Sequence, residues 1–148
     1  MKQKIKLFDP HITNNECKAI LSVLKSKYWA SGDGSNLVAQ FEKKFQNFIG
    51  AKSCVAVNSG TAALHLALSL EDISDKEVIL PSLSFVSTAN AVLYNKGKVK
   101  FADIDPDTLN IDPDSVKKNI SNNTKVILPV HFGGLSACLL YTSPSPRD

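Results

Sequence analysis

The sequence has little of what marks several common protein classes. Its three cysteines, Cys17, Cys54 and Cys138, have neither metal-ligand nor disulfide spacing, and we interpret them as reduced thiols of a cytosolic protein. Its apolar runs are far shorter than the ~20 residues that a membrane helix needs. Lysines near the amino terminus are followed by no apolar segment, so no secretory signal is predicted.

Charge and nucleotide signatures are equally sparse. Seventeen basic and 14 acidic residues give a formal net charge of +3, and the lysines are spread along the chain, which argues against nucleic-acid binding. Neither G-x-G-x-x-G nor G-x-x-x-x-G-K-[ST] occurs. What is present is 148 residues with 43% hydrophobic content, enough for a globular domain with a core.

Helical and strand-like segments alternate along the chain. Thr13-Asn-Asn-Glu16 predicts a capping box that opens a helix through about Lys27, and a second helix is predicted over 36–49, ended by Gly50. Further helices are predicted over 60–70, about 84–95 and 113–120. Four strands are predicted at Cys54–Val57, Glu77–Leu80, Val99–Ile104 and Lys125–Val130. Such alternation predicts an α/β fold with a mainly parallel sheet and flanking helices.

The helices carry apolar faces that should be covered. Cys17, Ile20, Leu21 and Leu24 form one stripe, and Val38, Phe41, Phe45 and Phe48 form another. The helix over 61–70 is apolar nearly all round, which predicts cover on more than one side.

The corner Asn58-Ser59-Gly60-Thr61 joins the first predicted strand to that apolar helix. Helix starts offer free backbone amides and a partial positive charge to anions, and Gly60 lacks a side chain that would block a phosphate. Ser59 and Thr61 add hydroxyl donors. The alternative is a helix cap in a tight turn without a ligand, since Ser, Thr and Asn are preferred there in any case.

A second corner, Leu80–Ala91, follows the next strand. It places Phe85 near the first corner, where an aromatic face suits a planar phosphorylated cofactor. The alternative is that Phe85 belongs to the core.

Several segments match a known family in order and spacing over about residues 5–137. They are Tyr28-Trp-Ala-Ser-Gly32 with Val38-Ala-Gln-Phe-Glu42, Ala56–Leu64, Pro81–Ala91, Phe101–Asp105, Leu109-Asn-Ile-Asp112 and Val130-His-Phe-Gly-Gly134. On these motifs the sequence resembles the DegT/DnrJ/EryC1/StrS sugar aminotransferases. The resemblance implies the amino-terminal part of the large domain of a fold-type I enzyme dependent on pyridoxal 5′-phosphate (PLP).

The resemblance also assigns roles to residues. Gly60 and Thr61, with Ser59, would bind the PLP phosphate, and Phe85 would stack on the pyridine ring. Thr88 and Asn90 would either support the residues that contact the ligand or be helix-start polar groups without ligand contact. Thr88 and His131, the latter at the end of the fourth strand, are possible site residues. Asp103 and Asp105 are expected in a structural turn rather than a metal site, and no metal is expected.

The implied activity is transfer of an amino group, usually from glutamate, to a nucleotide-linked keto sugar by a cytoplasmic homodimer. The alternatives are a PLP-dependent sugar dehydratase of the same family, in which histidine replaces the cofactor-binding lysine, or a non-catalytic phosphate-binding module. The family continues well beyond this length and carries its lysine and its ring-nitrogen carboxylate there, so no lysine here is nominated as catalytic.

The domain expectation follows from the same resemblance. Residues 1–137 are expected to form the amino-terminal part of the PLP-binding large domain. Residues 138–148 contain Pro144 and Pro146 and are expected to be a non-native or disordered tail. The chain by itself is expected to be inactive.

Overall fold

The computed structural model describes residues 6, 9–29 and 37–137, and the chain divides into two compact units at Ala56 and Val57. The first unit contains helices α1 (Asn14–Ser26) and α2 (Leu37–Ile49). The second contains α3 (Gly60–Ser69), β1 (Glu77–Pro81), α4 (Val86–Tyr94), β2 (Lys98–Ala102), α5 (Pro113–Asn119), β3 (Thr124–Ile127) and a short 3₁₀ turn at Phe132–Gly134. The expectation for the tail 138–148 lies outside the described residues.

The predicted ends of α1 and α2 are confirmed. The Thr13 hydroxyl accepts from the Asn15 amide at 3.2 Å, and the Thr13 amide donates to the Glu16 carboxylate at 2.6 Å, which completes the capping box. Gly50 follows α2 with a φ of +70°, the left-handed conformation that ends helices.

The apolar faces of α1 and α2 are exposed, which makes the prediction that they are buried wrong for the described residues. Neither helix contains a buried residue, and Phe48 is 86% exposed. The spacing of apolar residues determines which face of a helix is apolar. It does not show whether another surface covers that face.

The second unit confirms the α/β prediction. Its three strands pair in the order β2-β1-β3, and both pairings are parallel. In register, Glu77 lies opposite Lys98 on β2 and opposite Thr124 on β3. Parallel strands need crossover connections, and α4 and α5 provide them.

Core side chains lie on both faces of this sheet, and its central strand β1 contributes to both. Val78 and Leu80 point to one face and pack with Leu68, Ile73, Ala91 and Val92; Ile79 points to the other and packs with Ala102, Ile111, Val116 and Ala137. Val78, Ile79 and Leu80 have no exposed surface. Burial of each contributes about 1.5–3 kcal/mol, so β1 contributes substantially to the unit's hydrophobic stabilisation.

The strand predicted at Cys54–Val57 is wrong. The segment is irregular, and Val55 and Val57 are 69% and 40% exposed. The Ala56 amide donates to the Glu42 carboxylate at 2.8 Å instead of to a neighbouring strand. A β-branched run becomes a strand only where another strand can pair with it.

The other predicted elements exist with shifted ends. The predicted strand 125–130 ends at Ile127, and the predicted strand 99–104 ends at Ala102, after which Ile104 makes an isolated antiparallel bridge to Ile111. Within the described chain only Leu68 of α3 is buried and Leu70 is 82% exposed, so further cover of α3 by another helix or another subunit stays a prediction. None of the described helices is both long and apolar enough to cross a bilayer.

Asp105 lies in the structural turn that was predicted. Its Oδ1 accepts from the Asp107 amide, the Thr108 amide and the Thr108 hydroxyl at 2.8–3.0 Å. These bonds, led by that of the Thr108 amide, lower the pKa of Asp105 below its usual value. The carboxylate is therefore used to close the turn before α5.

Candidate functional site

An open cavity of about 630 Å³ lies at the carboxyl edge of the sheet in the second unit. Its wall comes from the start of α3, the β1–α4 corner and the segment after β3, and comprises Gly60, Thr61, Ala63, Leu64, Phe85, Ser87, Thr88, Leu128, Pro129 and Val130. Ligands of parallel α/β sheets bind at this edge, and the volume suits a small organic ligand.

The start of α3 presents free amides to the cavity. The Ser59 hydroxyl accepts from the Ala62 amide at 3.2 Å, and the Ser59 carbonyl accepts from the Ala63 amide at 3.0 Å. Among the described residues, the amides of Gly60 and Thr61 have no acceptor. The cap alternative is therefore correct for Ser59, yet it leaves two donors at the positive end of a ten-residue helix.

Gly60 keeps the space in front of these amides open. A Cβ atom built on Gly60 would meet no atom within 4 Å. The backbone at Gly60 is helical, so glycine is not required there by conformation. Its missing side chain instead gives an anion access to the amides.

Phe85 lies at the cavity as a largely exposed ring. It is the N-cap of α4, makes no side-chain cap bond and is 76% exposed, so the alternative that it belongs to the core is wrong for the described chain. The sequence thus predicted correctly that the two corners, over twenty residues apart, meet at one site.

Thr88 also lines the cavity and is 5% exposed, but His131 does not line it. His131 Nδ1 accepts from the Ala137 amide at 2.9 Å, which closes a loop after β3. Because β3 ends three residues before the predicted end, His131 lies beyond the cavity wall instead of at the strand end. The ligand-binding roles of Ser59, Gly60, Thr61, Phe85 and Thr88 stay predictions.

Sequence reasoning missed Ser87 and the Leu128–Val130 wall. Leu128, Pro129 and Val130 follow β3 directly, so a correct strand end would have placed them at the same edge as the two corners.

The chemistry of this wall suits binding and not proton transfer. No residue of the described lining carries an ionisable side chain, apolar side chains dominate, and Gly60 and Thr61, at the start of α3, are part of the lining. Such a site can hold an anionic group attached to a flat apolar ring. Fold and cavity together define a parallel α/β protein of the class that binds a phosphorylated planar cofactor at a helix start.

The family model of the DegT/DnrJ/EryC1/StrS aminotransferase family matches residues 10–140, and the chain belongs to this family. It is 45% identical over 128 residues to the spore coat polysaccharide biosynthesis protein SpsC of Bacillus subtilis, covering 86% of this chain and 32% of that protein. It is 37% identical to the dTDP-4-dehydro-2,3,6-trideoxy-D-glucose 4-aminotransferase of Saccharopolyspora spinosa, covering 88% and 34%. The chain spans about a third of the length of the curated relatives it matches.

Solved structures show the same fold. The GDP-4-keto-6-deoxy-D-mannose-3-dehydratase of E. coli with bound hydrated PLP superposes with a TM-score of 0.74 at 35% identity, covering 84% of this chain and 33% of that one. The structural relatives are fold-type I PLP enzymes, and the family uses PLP as its cofactor. The predicted family, fold class and cofactor are thereby confirmed.

Proposed function

We propose that the chain forms the cofactor-phosphate-binding part of a PLP-dependent aminotransferase acting on a nucleotide-linked keto sugar, with glutamate as amino donor. The observation that supports it most directly is the pair of free amides at Gly60 and Thr61, which open on a cavity bordered by the ring of Phe85. Family membership supplies the reaction class.

The residues present fit the phosphate and ring of PLP. The amides of Gly60 and Thr61 would donate to the phosphate, whose charge the α3 dipole favours. Phe85 would lie against the ring, and face stacking adds roughly 0.5–1.5 kcal/mol beyond burial. When bound, PLP would supply an aldehyde carbon that carries the amino group and a pyridine ring that accepts electron density.

The described cavity wall contributes no proton donor or acceptor with an ionisable side chain. We therefore propose that residues 1–137 act as a binding part of the large domain, and that the 148-residue chain alone transfers no amino group. Conversion of a keto sugar nucleotide by the purified chain with PLP and glutamate would contradict this. For the whole protein we propose a cytoplasmic homodimer.

Two other functions compete with this proposal. The dehydratase reaction is favoured by one observation, the likeness to a GDP-sugar dehydratase that binds PLP. A non-catalytic phosphate-binding module is favoured by the absence of ionisable groups in the described wall. Product analysis of a full-length relative carrying these residues separates amino sugar from deoxy sugar, and a phosphate-binding module would form neither.

Equilibrium dialysis with pyridoxamine 5′-phosphate tests the binding proposal, because this cofactor form has no aldehyde to react with surface lysines. We expect Gly60→Val to weaken binding more than tenfold, about 1.4 kcal/mol, since its side chain would fill the open space before the amides. Asn14→Val, at the first position of α1, is the matched control and should bind as wild type. If wild type binds pyridoxamine as tightly as pyridoxamine 5′-phosphate, the start of α3 does not bind the phosphate.

A further inference from the structure

Two motifs that match the family, Leu109–Asp112 and Val130–Gly134, contribute only Val130 to the lining of the proposed site, yet one buried side chain joins them. Asn110 is 3% exposed and lies in the turn before α5. Its Oδ1 accepts from the Phe132 amide at 2.9 Å, and its Nδ2 donates to the Leu135 carbonyl at 3.2 Å. Both polar atoms of the Asn110 carboxamide therefore form hydrogen bonds with the loop that follows β3.

The backbone of Asn110 is itself fixed. Its carbonyl accepts from the Asp105 amide at 2.9 Å, and the neighbouring residues Ile104 and Ile111 form an antiparallel bridge. Asp105 is held in turn by the Thr108 hydroxyl and amide. Asn110 thus extends from a closed turn toward the loop.

The loop 131–137 contains features that need outside support. Gly133 and Gly134 adopt φ values of +61° and +84°, and the loop has only a three-residue 3₁₀ turn. Besides Asn110, the loop is closed by the Ala137 amide on His131 Nδ1 and by backbone bonds from Phe132 to Val130, from Gly134 to His131 and from Leu135 to Phe132. Ala137 packs in the core on one face of the sheet. Phe132, which Asn110 binds, lies two residues after Val130 of the cavity wall.

We propose that Asn110 is a positioning residue that sets the Leu128–Val130 wall of the cofactor cavity through loop 131–137. This inference rests on the proposed function, because it assumes that the cavity binds the cofactor. Asn110 touches neither the cavity nor the amides of α3, so its effect on the cofactor passes through the loop. A donor and an acceptor are both needed, because one faces a carbonyl and the other an amide.

Asn110→Asp tests this role with almost no change of size. The amide of Phe132 keeps an acceptor, but the second oxygen would face the Leu135 carbonyl at about the distance of the lost hydrogen bond. We expect the dissociation constant for pyridoxamine 5′-phosphate to rise about tenfold at neutral pH. Protonation of the new carboxyl restores a hydrogen-bond donor. The dissociation constant of Asn110→Asp, divided by that of wild type, should therefore fall as pH is lowered from about 7 to about 5. Asn110→Ala removes both contacts without adding charge and should show the loss at both pH values.

Gly97→Ala is the matched control, since it strains the core at the amino end of β2, away from the cavity. It should lower the melting temperature and leave the dissociation constant unchanged when all proteins are measured folded. Amide exchange at Phe132, without ligand, should accelerate in Asn110→Ala, which removes the side-chain acceptor, and should not accelerate in Gly97→Ala. Affinity within twofold of wild type for both Asn110 variants, or an equal loss in Gly97→Ala, would overturn the positioning role.

The outcomes also separate this inference from the proposed function. If wild type binds no pyridoxamine 5′-phosphate, the proposed function fails, and the positioning role fails with it; faster exchange at Phe132 would then report an anchored loop alone. If wild type binds and the Asn110 variants bind equally well, the proposed function stands and only the inference fails.

Discussion

Ser59 shows how one residue type at a helix start can satisfy two interpretations at once. Its hydroxyl caps α3 by accepting from the Ala62 amide, as any Ser at an N-cap would. The Ser59 hydroxyl does not accept from the amides of Gly60 and Thr61, and these two amides have no acceptor among the described residues. Sequence alone could not separate a capped turn from a phosphate site, because the same residues serve both.

Replacing Ser59 by alanine should separate stability from binding. We expect Ser59→Ala to lower the free energy of unfolding by about 1 kcal/mol in urea denaturation, because the Ala62 amide loses its partner. The affinity for pyridoxamine 5′-phosphate should fall less than in Gly60→Val. Thr13→Ala, which removes the cap of α1, is the control and should leave that affinity unchanged. Unaltered stability of Ser59→Ala would show that the cap contributes nothing.

The candidate site could be predicted at its polar corners and not at its far wall. Gly60, Thr61 and Phe85 were found because glycine, hydroxyl and aromatic residues at the start of a helix carry a specific chemical meaning. Leu128 and Val130 look like ordinary strand residues, and only the exact end of β3 makes them part of the site. The predicted end of β3 is three residues too late, so Leu128–Val130 were assigned to the strand. His131 does not line the cavity, and its role as a site residue stays a prediction.

Among the elements, the sheet is tied together at its amino edge by Glu77. Its Oε2 accepts from the Ser121 hydroxyl at 2.6 Å, the Thr124 hydroxyl at 3.2 Å and the Lys100 ammonium at 3.3 Å. One carboxylate of β1 therefore contacts β2, β3 and the turn before β3. The hydrogen bond from Ser121 is the largest cause of a lowered pKa at Glu77, and the bonds from Lys100 and Thr124 lower this pKa further.

This lowered pKa predicts a stability that depends on pH. Since the folded-state pKa lies below the unfolded value, the Glu77 contribution is complete above the usual carboxyl range of about 4.3 and is lost as pH falls through the folded-state pKa. We expect Glu77→Gln to be less stable than wild type at pH 7 and the gap to narrow toward about pH 3 in urea titrations. Glu71→Gln, which removes an exposed ion pair of 3.8 Å, should change little at any pH. If the stability difference between Glu77→Gln and wild type does not change with pH, ionisation of the Glu77 carboxylate does not cause that difference.

The connection between α4 and β2 is tight enough to exclude a methyl group. A Cβ atom on Gly97 would lie 2.8 Å from Val92 Cγ1, 3.1 Å from Ile73 Cδ1 and 3.3 Å from the Ile73 carbonyl. We expect Gly97→Ala to destabilise the second unit by about 1–3 kcal/mol in thermal or urea denaturation. Gly60→Ala has open space and should not lower stability comparably. Equal stability of the two variants would show that the core relaxes around Gly97.

The elements were predictable where local signals agree with the tertiary partner. The capping box of α1 and the glycine stop of α2 are local signals, and the crossover pattern predicted a parallel sheet. The Cys54–Val57 segment has the same β-branched signal as β1 but no strand beside it in the described chain. A segment forms a strand only where a neighbouring strand can pair with it, and its β-propensity does not show whether such a neighbour is present.

At the scale of the whole molecule, the two units differ in how much they bury. The second holds every residue of the two described core clusters, whereas α1 and α2 have no buried residue. Local opening costs least where few apolar contacts must be broken. We therefore expect hydrogen exchange to be fast throughout α1 and α2 and slowest in β1 and α4. Protection of α1 equal to that of β1 would contradict this distribution.

The strand order β2-β1-β3 has a consequence for the growing chain on the ribosome. Glu77 pairs with Lys98, 21 residues later (98 − 77), but with Thr124 only after 47 (124 − 77). At about 5–20 residues per second, roughly 1–5 s separate the synthesis of these two partners. During that interval the central strand has one neighbour and one bare edge, along the most apolar segment of the unit. The nascent chain is thus most open to pairing with a foreign strand before β3 is made.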